Sequence, residues 1–204
     1  MDAPATLIYL LRHGEVALTD TRRFLGHLDV PLSARGEAQC AAQAERLRGA
    51  GLSAIFTSDL ARAQRSGEII GAPHGLVPTA LPALREMDMG RWDGLNAAEV
   101  EAREPGVLAT FMTLVGEYPF PGGESVPQLV ARVWPAFEAI VAAHAGQSVA
   151  VVAHAGSIRA ILCRALELPL TRLLALGQEY AALSVIEHVD RGWRLRLLNE
   201  TPML

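Results

Sequence analysis

Residues 147–162 read QSVAVVAHAGSIRAIL, and this stretch decides the fold. A run of small and β-branched apolar residues stops at His154. A glycine-containing turn then leads at once into apolar residues at helical spacing. That is a buried strand feeding a helix, the unit from which parallel sheets covered by helices are built. It also sets His154 at the carboxyl end of the strand, where an imidazole without a partner is costly to bury. The tetrapeptide AHAG occurs once more, at 143–146, but there it closes the amphipathic stretch FEAIVAAHAGQ. His144 therefore reads as a helix-end residue beside terminal carbonyls, and His154 as a site residue.

The same reasoning extends outward. Before this stretch, ESVPQLVARVWPAFEAIVAAHAG (124–146) has helical spacing, with Ser125 as its cap, Pro127 tolerated in the first turn and Pro135 expected to bend it. TLIYLL (6–11) is a short buried strand that ends at Arg12-His13-Gly14. SARGEAQCAAQAERLRGAG (33–51) reads as a helix, SAIFTS (53–58) as a second buried strand and DLARAQRSGEIIG (59–71) as the helix after it. GLVPTALP (75–82) suits only an outer strand, because Pro78 would forfeit a ladder bond. Residues 84–121 are irregular apart from short helical pieces near 96–103 and 107–115. AALSVIEHV and WRLRLLN form a closing strand pair. The expected fold class is α/β: a three-layer sandwich, a mostly parallel central sheet with helices on both faces. One domain over 1–204 is expected, with a helical, substrate-covering insertion at about 95–125.

Composition narrows the function. Half of the 204 residues are hydrophobic and a fifth are charged, with a net charge of −4, which gives no electrostatic reason to expect nucleic acid or an anionic membrane as partner. No stretch reaches the roughly 20 apolar residues of a membrane span. The opening MDAPATLIYLL has an acidic residue where a secretory leader needs basic ones, so cytoplasm is the expected compartment. Cys40 and Cys163 lie in apolar helical patterns and read as buried free thiols. Metal chemistry is not expected: there is no H-E-x-x-H and no C-x-x-C. GESV is not a serine-centred nucleophile elbow. No cofactor is implied.

Ligands of open α/β sheets bind at the carboxyl ends of the strands. Arg12, His13, Ser58, Arg62 and His154 all fall there. Arginine's fixed fork suits phosphate oxygens, and Gly14 and Gly156 permit close backbone approach. His27 reads as a rim residue, His74 as a loop residue and His188 as lying near an outer strand end.

LLRHGEV, TSDLARAQRS, LREMDMGRWDG, PGGESV and VVAHAGSIRAIL, in this order over nearly the whole chain, resemble the histidine phosphatase superfamily, with its phosphoglycerate mutase-like fold. The resemblance implies that His13 is the nucleophile that becomes phosphohistidine. It implies that Arg12, Arg62 and His154 bind the phosphoryl group and that Glu86 protonates the leaving oxygen. Asp88 and Asp93 lie close enough to Glu86 in sequence to contest that last role, and Glu15 is implied to be structural or peripheral. Secondary phosphate contacts fall to Thr19, Gly26 and Ala155. The chain departs from the family pattern at Val16, where a hydroxyl is frequent. It also has Thr19 where asparagine is common, and Ala155 within the frequent H-G-G.

The segment ending in PGGES and the closing GWRLRLLNE resemble the bacterial phosphatases of the family, including α-ribazole phosphatases. The mutases resemble the chain in RFLGHLDVPLS, but are longer and supply extra basic residues. Segment 95–125 carries Arg103 alone against Glu99, Glu101, Glu104, Glu117 and Glu124. Its Phe111, Met112, Tyr118 and Phe120 could wall a pocket. The expectation is a phosphomonoesterase acting on a small phosphorylated metabolite with an uncharged or apolar leaving group, such as α-ribazole phosphate. The alternatives are a cofactor-dependent phosphoglycerate mutase and an inactive module that only binds phosphorylated ligands. Oligomeric state stays open, a homodimer included.

Overall fold

The computed structural model describes residues 4–18, 23–190 and 192–203. In chain order the elements are β1 (Thr6–Arg12), α1 (Ala34–Leu47), β2 (Leu52–Thr57), α2 (Ala61–Gly71), β3 (Thr79–Ala80), α3 (Ala97–Arg103), α4 (Val107–Thr113), α5 (Val126–Ala143), β4 (Ser148–Ala153), α6 (Ala155–Ala165), β5 (Leu183–Val189) and β6 (Gly192–Glu200). The strands form one sheet in the order β3-β2-β4-β1-β5-β6. From β3 to β1 they run parallel, and β5 and β6 add an antiparallel flank. This is the expected α/β sandwich with a mostly parallel sheet.

Side-chain alternation explains the three layers. Along β4, Val149, Val151 and Ala153 enter one core with residues of α5 and α6, while Ala150 and Val152 enter a second with Cys40, Leu47 and Ile70 of α1 and α2. Along β1, Ile8 and Leu10 join the first core and Leu11 the second. Both strands are covered on both faces, which is why they read as continuous apolar runs.

The local signals also hold. Ser33 accepts from the Gly36 amide at the start of α1, and Ser125 with Gln128 forms a capping box on α5. The helix expected from Asp59 begins at Ala61, because the Asp59 carboxylate pairs with Arg85 and the Ala61 amide takes its acceptor from Asp29. The outer strand shrinks to Thr79–Ala80, held between Pro78 and Pro82. Cys40 and Cys163 are buried free thiols. No described helix is long and apolar enough to cross a membrane.

Candidate active site

Parallel pairing of β1 with β4 places Arg12 opposite Ala153, so His13 and His154 leave neighbouring strands at the same level. The His13 amide continues the ladder to the Ala153 carbonyl at 3.0 Å, and the two imidazole centroids lie 5.1 Å apart. A side chain at Gly14 would collide with the Gly36 carbonyl at 2.4 Å. The Gly14 amide instead donates to Ser66 Oγ at 3.1 Å, which pins the loop to α2.

His13 Nδ1 donates to the Gly14 carbonyl at 2.7 Å. That fixes the tautomer and leaves Nε2 with the free electron pair. The ring is 4% exposed. Burial, with Arg12 and Arg62 adding to it, holds its pKa well below the usual histidine range, so the ring is neutral at pH 7. His154 is likewise held well below that range, by burial first and then by Arg62. Its Nε2 meets Ser58 Oγ at 2.6 Å. Ser58 Oγ also accepts from the Leu60 amide; with its own hydroxyl proton directed at Nε2, His154 carries its proton on Nδ1.

Three buried donors at this edge have no partner among the described residues: Arg12 Nε, Arg62 Nε and His154 Nδ1. Their other contacts aim them. Arg62 is fully buried, its terminal nitrogens held at 2.7 Å by the Leu28 and Gly26 carbonyls. Arg12 donates to the Gln178 carbonyl at 2.6 Å and lies 4.0 Å over the Tyr180 ring. Burial lowers the pKa of both guanidiniums, yet arginine's ordinary value is so high that both stay charged. Buried donors without acceptors are costly; a tetrahedral anion placed against them would satisfy all three.

Glu86 stands across the cavity, 6% exposed. Oε1 accepts from the Met87 amide at 2.8 Å and Oε2 from the Gly156 amide at 3.1 Å. A side chain at position 156 would come within 2.2 Å of Oε1, so glycine there admits the carboxylate to the start of α6. The Glu86 backbone is braced from behind. Its carbonyl accepts from Arg132 Nη2 and from His27 Nε2, each at 3.0 Å. Arg132 also holds the Ala83 and Arg85 carbonyls and grips the Glu124 carboxylate with two 2.7 Å bonds. The rival carboxylates are occupied elsewhere: Asp93 by the Gly26 and Leu28 amides, Asp88 by the Gly90 amide.

The cavity between these groups measures about 200 Å³ and opens to solvent. Arg12, His13, Glu86 and Ala155 line it together with Phe24, Phe111, Phe120, Arg23 and Arg159. Arg12, His13, Arg62, Glu86, His154 and Ala155 are thus brought together. Gly26 is not a free phosphate donor, since its amide is committed to Asp93. Its part is to hold Arg62 by its carbonyl. Thr19 lies outside the described residues. Val16 is fully buried beside Leu32 and packs in the interior. Glu15 stays peripheral, accepting from Ser33.

Segment 95–125 does not line the cavity with acid, contrary to the sequence expectation. None of its acidic residues lines the cavity, and neither does Arg103. Glu99 pairs with Arg23, Glu104 with Arg91 and Glu124 with Arg132. Phe111 and Phe120 do line the cavity, whereas Tyr118 packs behind them on Trp92 and Met112 is 62% exposed. The bases at the cavity come from outside the segment, as Arg23 and Arg159. Sequence reading overlooked Tyr180, Arg132 and both of these. For Arg159 a signal existed: it lies one helical turn beyond Gly156 on the same face.

The family model described as "Histidine phosphatase superfamily (branch 1)" matches residues 8–201. The chain belongs to this superfamily. A relative from Salmonella paratyphi B named "Probable phosphoglycerate mutase GpmB" is 31% identical over 186 residues, covering 91% of this chain and 86% of the relative. The mycobacterial glucosyl-3-phosphoglycerate phosphatase has the same fold, with a TM-score of 0.86 and 31% identity over 96% of this chain and 99% of its own. The α-ribazole phosphatase from Shigella flexneri, at 23% identity, shares the histidine phosphatase fold with a TM-score of 0.85 over 95% of this chain and 96% of its own.

Proposed function

We propose that this superfamily member is a cytoplasmic, metal-independent phosphomonoesterase acting on a small phosphorylated metabolite through phosphohistidine. The observation that carries the reading is the set of unpartnered buried donors, Arg12 Nε, Arg62 Nε and His154 Nδ1, around an imidazole whose Nε2 keeps its electron pair. Two arginines balance a phosphoryl dianion, the charge that Mg²⁺ balances in other phosphoryl transfers.

In the first step the Nε2 pair of His13 forms a bond to phosphorus while the ester P–O bond breaks. Glu86, in its acid form, gives its proton to the departing oxygen. In the second step water attacks the phosphohistidine, its proton passes to the Glu86 carboxylate, and the P–N electrons return to His13. Arg12, Arg62, His154 and the Ala155 backbone hold the transferring group throughout. Segment 95–125, through Phe111 and Phe120, covers the leaving-group side.

The name of the Salmonella relative favours a second reading, a phosphoglycerate mutase. A mutase must seat a bisphosphorylated intermediate in both orientations, so it needs two complete phosphoryl sites. Among the described residues the cavity offers one. Besides Arg12, the described arginines that line it are Arg159 and Arg23, and Arg23 is paired with Glu99 at 3.0 Å, so among the described residues too little charge is left for a second dianion.

The test is hydrolysis of p-nitrophenyl phosphate after exhaustive chelation, with base-stable, acid-labile label trapped on His13. Label on a serine or aspartate, or a strict and restorable need for a divalent ion, overturns the reading. Interconversion of 3-phosphoglycerate with catalytic 2,3-bisphosphoglycerate, faster than hydrolysis of any ester in a metabolite panel that includes α-ribazole phosphate, selects the mutase instead.

A further inference from the structure

We propose that Tyr180 is a positioning residue of the phosphoryl site: its ring fixes the plane of the Arg12 guanidinium, so that Nε meets the transferring group. This inference rests on the phosphomonoesterase reading above. It goes beyond that reading by giving a role to a side chain that does not itself hold the phosphoryl group.

The two arginines assigned to the phosphoryl group are restrained differently. Arg62 is gripped by the Leu28 and Gly26 carbonyls, each at 2.7 Å from a different terminal nitrogen. Two such bonds fix both the position and the plane of a guanidinium. Arg12 has one hydrogen-bond acceptor among the described residues, the Gln178 carbonyl at 2.6 Å from Nη1. A single bond leaves the plane free to swing about it. The second restraint is the Tyr180 ring, whose centroid lies 4.0 Å from Arg12 Cζ, well within cation–π range. A face contact has a property that a carbonyl or a carboxylate lacks. It consumes no N–H donor and cancels no charge, so both remain for a phosphoryl dianion. Arg12 Nε, buried and without a partner among the described residues, is the donor kept free in this way.

The turn that carries Tyr180 is strained. The Ala182 amide donates to the Glu179 carbonyl at 3.1 Å, with Tyr180 and Ala181 between them. Ala181 has a φ of 53°, in the left-handed region that a residue with a Cβ avoids. Such a conformation persists only where its surroundings over-determine it. Here the Ala181 amide donates to the His13 carbonyl at 3.0 Å, and the Ala182 carbonyl accepts from the Arg12 amide at 3.1 Å. The Ala181 carbonyl accepts from the side-chain amide of Gln43, fully buried on α1, at 2.8 Å. Asn199 Oδ1 takes the Glu179 amide at 2.7 Å. Two of these bonds go to Arg12 and His13 themselves, and the Tyr180 and His13 ring centroids lie 5.6 Å apart. The ring is therefore anchored to the end of β1, the strand whose last residues it orients.

Tyr180 lines two hollows. One is the catalytic cavity, and the other is a recess open to solvent beside Glu15, Arg35, Gln39 and Glu179. The ring thus forms part of the partition between them. A variant that tests orientation alone must keep that partition filled. Leucine keeps much of the apolar bulk but has no π face, and fluorinated phenylalanines keep the shape while weakening the face.

The experiment reads two quantities, kcat/KM for p-nitrophenyl phosphate and the binding of inorganic phosphate by calorimetry. Tyr180→Leu should lower both by about tenfold, the size of a desolvated cation–π contact. Tyr180→Phe keeps the ring and should retain at least about a third of each. Phenylalanines of rising fluorine content, placed at position 180 by nonsense suppression, should lower both quantities stepwise as the ring quadrupole weakens. This series also serves if Tyr180→Leu fails to fold. In an Arg12→Met background no guanidinium remains to orient, and adding Tyr180→Leu should lower kcat/KM by less than about twofold more. A flat fluorine series, or a loss from Tyr180→Leu that is equally large without Arg12, overturns the assignment. The phosphatase reading fails separately, through absent label on His13 in the wild-type protein, while phosphate binding still reads the contact between Arg12 and Tyr180.

Discussion

The two sides of the cavity are built differently. The nucleophile side is a product of the sheet: β1 and β4 deliver Arg12, His13 and His154 at one level, and α2 delivers Arg62 directly after β2. Each side chain there follows from strand pairing, and the strands are buried on both faces. The leaving-group side has no such frame. Glu86 lies in an irregular stretch, held by Arg132 from α5, which itself grips Glu124 at the end of segment 95–125. The first side is fixed by backbone ladders. The second depends on a few side-chain bonds, so its failure should alter which esters react more than whether phosphoryl transfer occurs.

The largest effect tests the sheet-built side. His13→Ala removes the nucleophile and should lower turnover of every ester by at least about 10³-fold, whatever the leaving group. His154→Ala removes one donor to the transferring group and should cost about 10²–10³-fold, again for all esters. Circular dichroism should show both variants folded, since neighbouring strands carry the packing. A loss that varied strongly with the leaving group would erase the distinction between the two sides.

The next effect tests the braced side. Glu86→Gln and Arg132→Met should slow alkyl phosphates by about 10²–10⁴-fold for the first and by about tenfold or more for the second, which only mispositions the acid through the Glu86 backbone. p-Nitrophenolate leaves without needing a proton, so p-nitrophenyl phosphate should be far less affected in both. The measurement is kcat against leaving-group pKa, and a steeper dependence in Arg132→Met than in wild type is the expected result. A parallel drop for all leaving groups would make Arg132 a stabilising residue of the fold and nothing more.

The same contrast explains what could be read from the sequence. Sheet class, strand ends and the grouping of Arg12, His13, Arg62 and His154 were legible because hydrophobic periodicity marks buried strands, and strand ends locate the edge where ligands bind. Glu86 came from the family resemblance, not from periodicity. The Arg132 brace spans α5 and the 83–86 stretch, and nothing local announces such a contact. Counting charges within 95–125 misled because a carboxylate's neighbours in sequence do not say which way it faces. Glu99 and Glu124 turn to Arg23 and Arg132, which lie outside their own segment.

Burial of two neutral histidines on the sheet-built side should also be visible in stability. Their folded pKa values lie well below the usual 6.5. At pH values between the folded value and 6.5 the unfolded chain therefore binds protons that the folded protein does not. Stability is lost as pH falls below 6.5, with a slope approaching about 1.4 kcal/mol per pH unit for each histidine. Above 6.5 both states are neutral and the contribution vanishes. Denaturation of wild type and His154→Gln from pH 7.5 to 5 should show a shallower decline in the variant. Equal slopes would mean that His154 accepts a proton in the folded protein.

The smallest effect separates the twin AHAG tetrapeptides. His144 terminates α5, its Nδ1 meets the Gln147 side chain at 2.8 Å and its ring packs edge-on against Phe56 at 5.6 Å. It interacts with a side chain and not, as its helix-end position suggested, with the last carbonyls. Replacing it with alanine removes one solvent-accessible hydrogen bond and part of an aromatic contact, together worth about 1 kcal/mol or less. It should leave kcat and KM untouched, since β4 runs between residue 144 and the cavity edge. His154, one strand later, should cost orders of magnitude in rate. Unfolding midpoints and steady-state kinetics on the two alanine variants give the comparison directly. A kinetic defect in His144→Ala would mean that the start of β4 is coupled to its carboxyl end, and that the nucleophile side is less rigid than its ladder of hydrogen bonds implies.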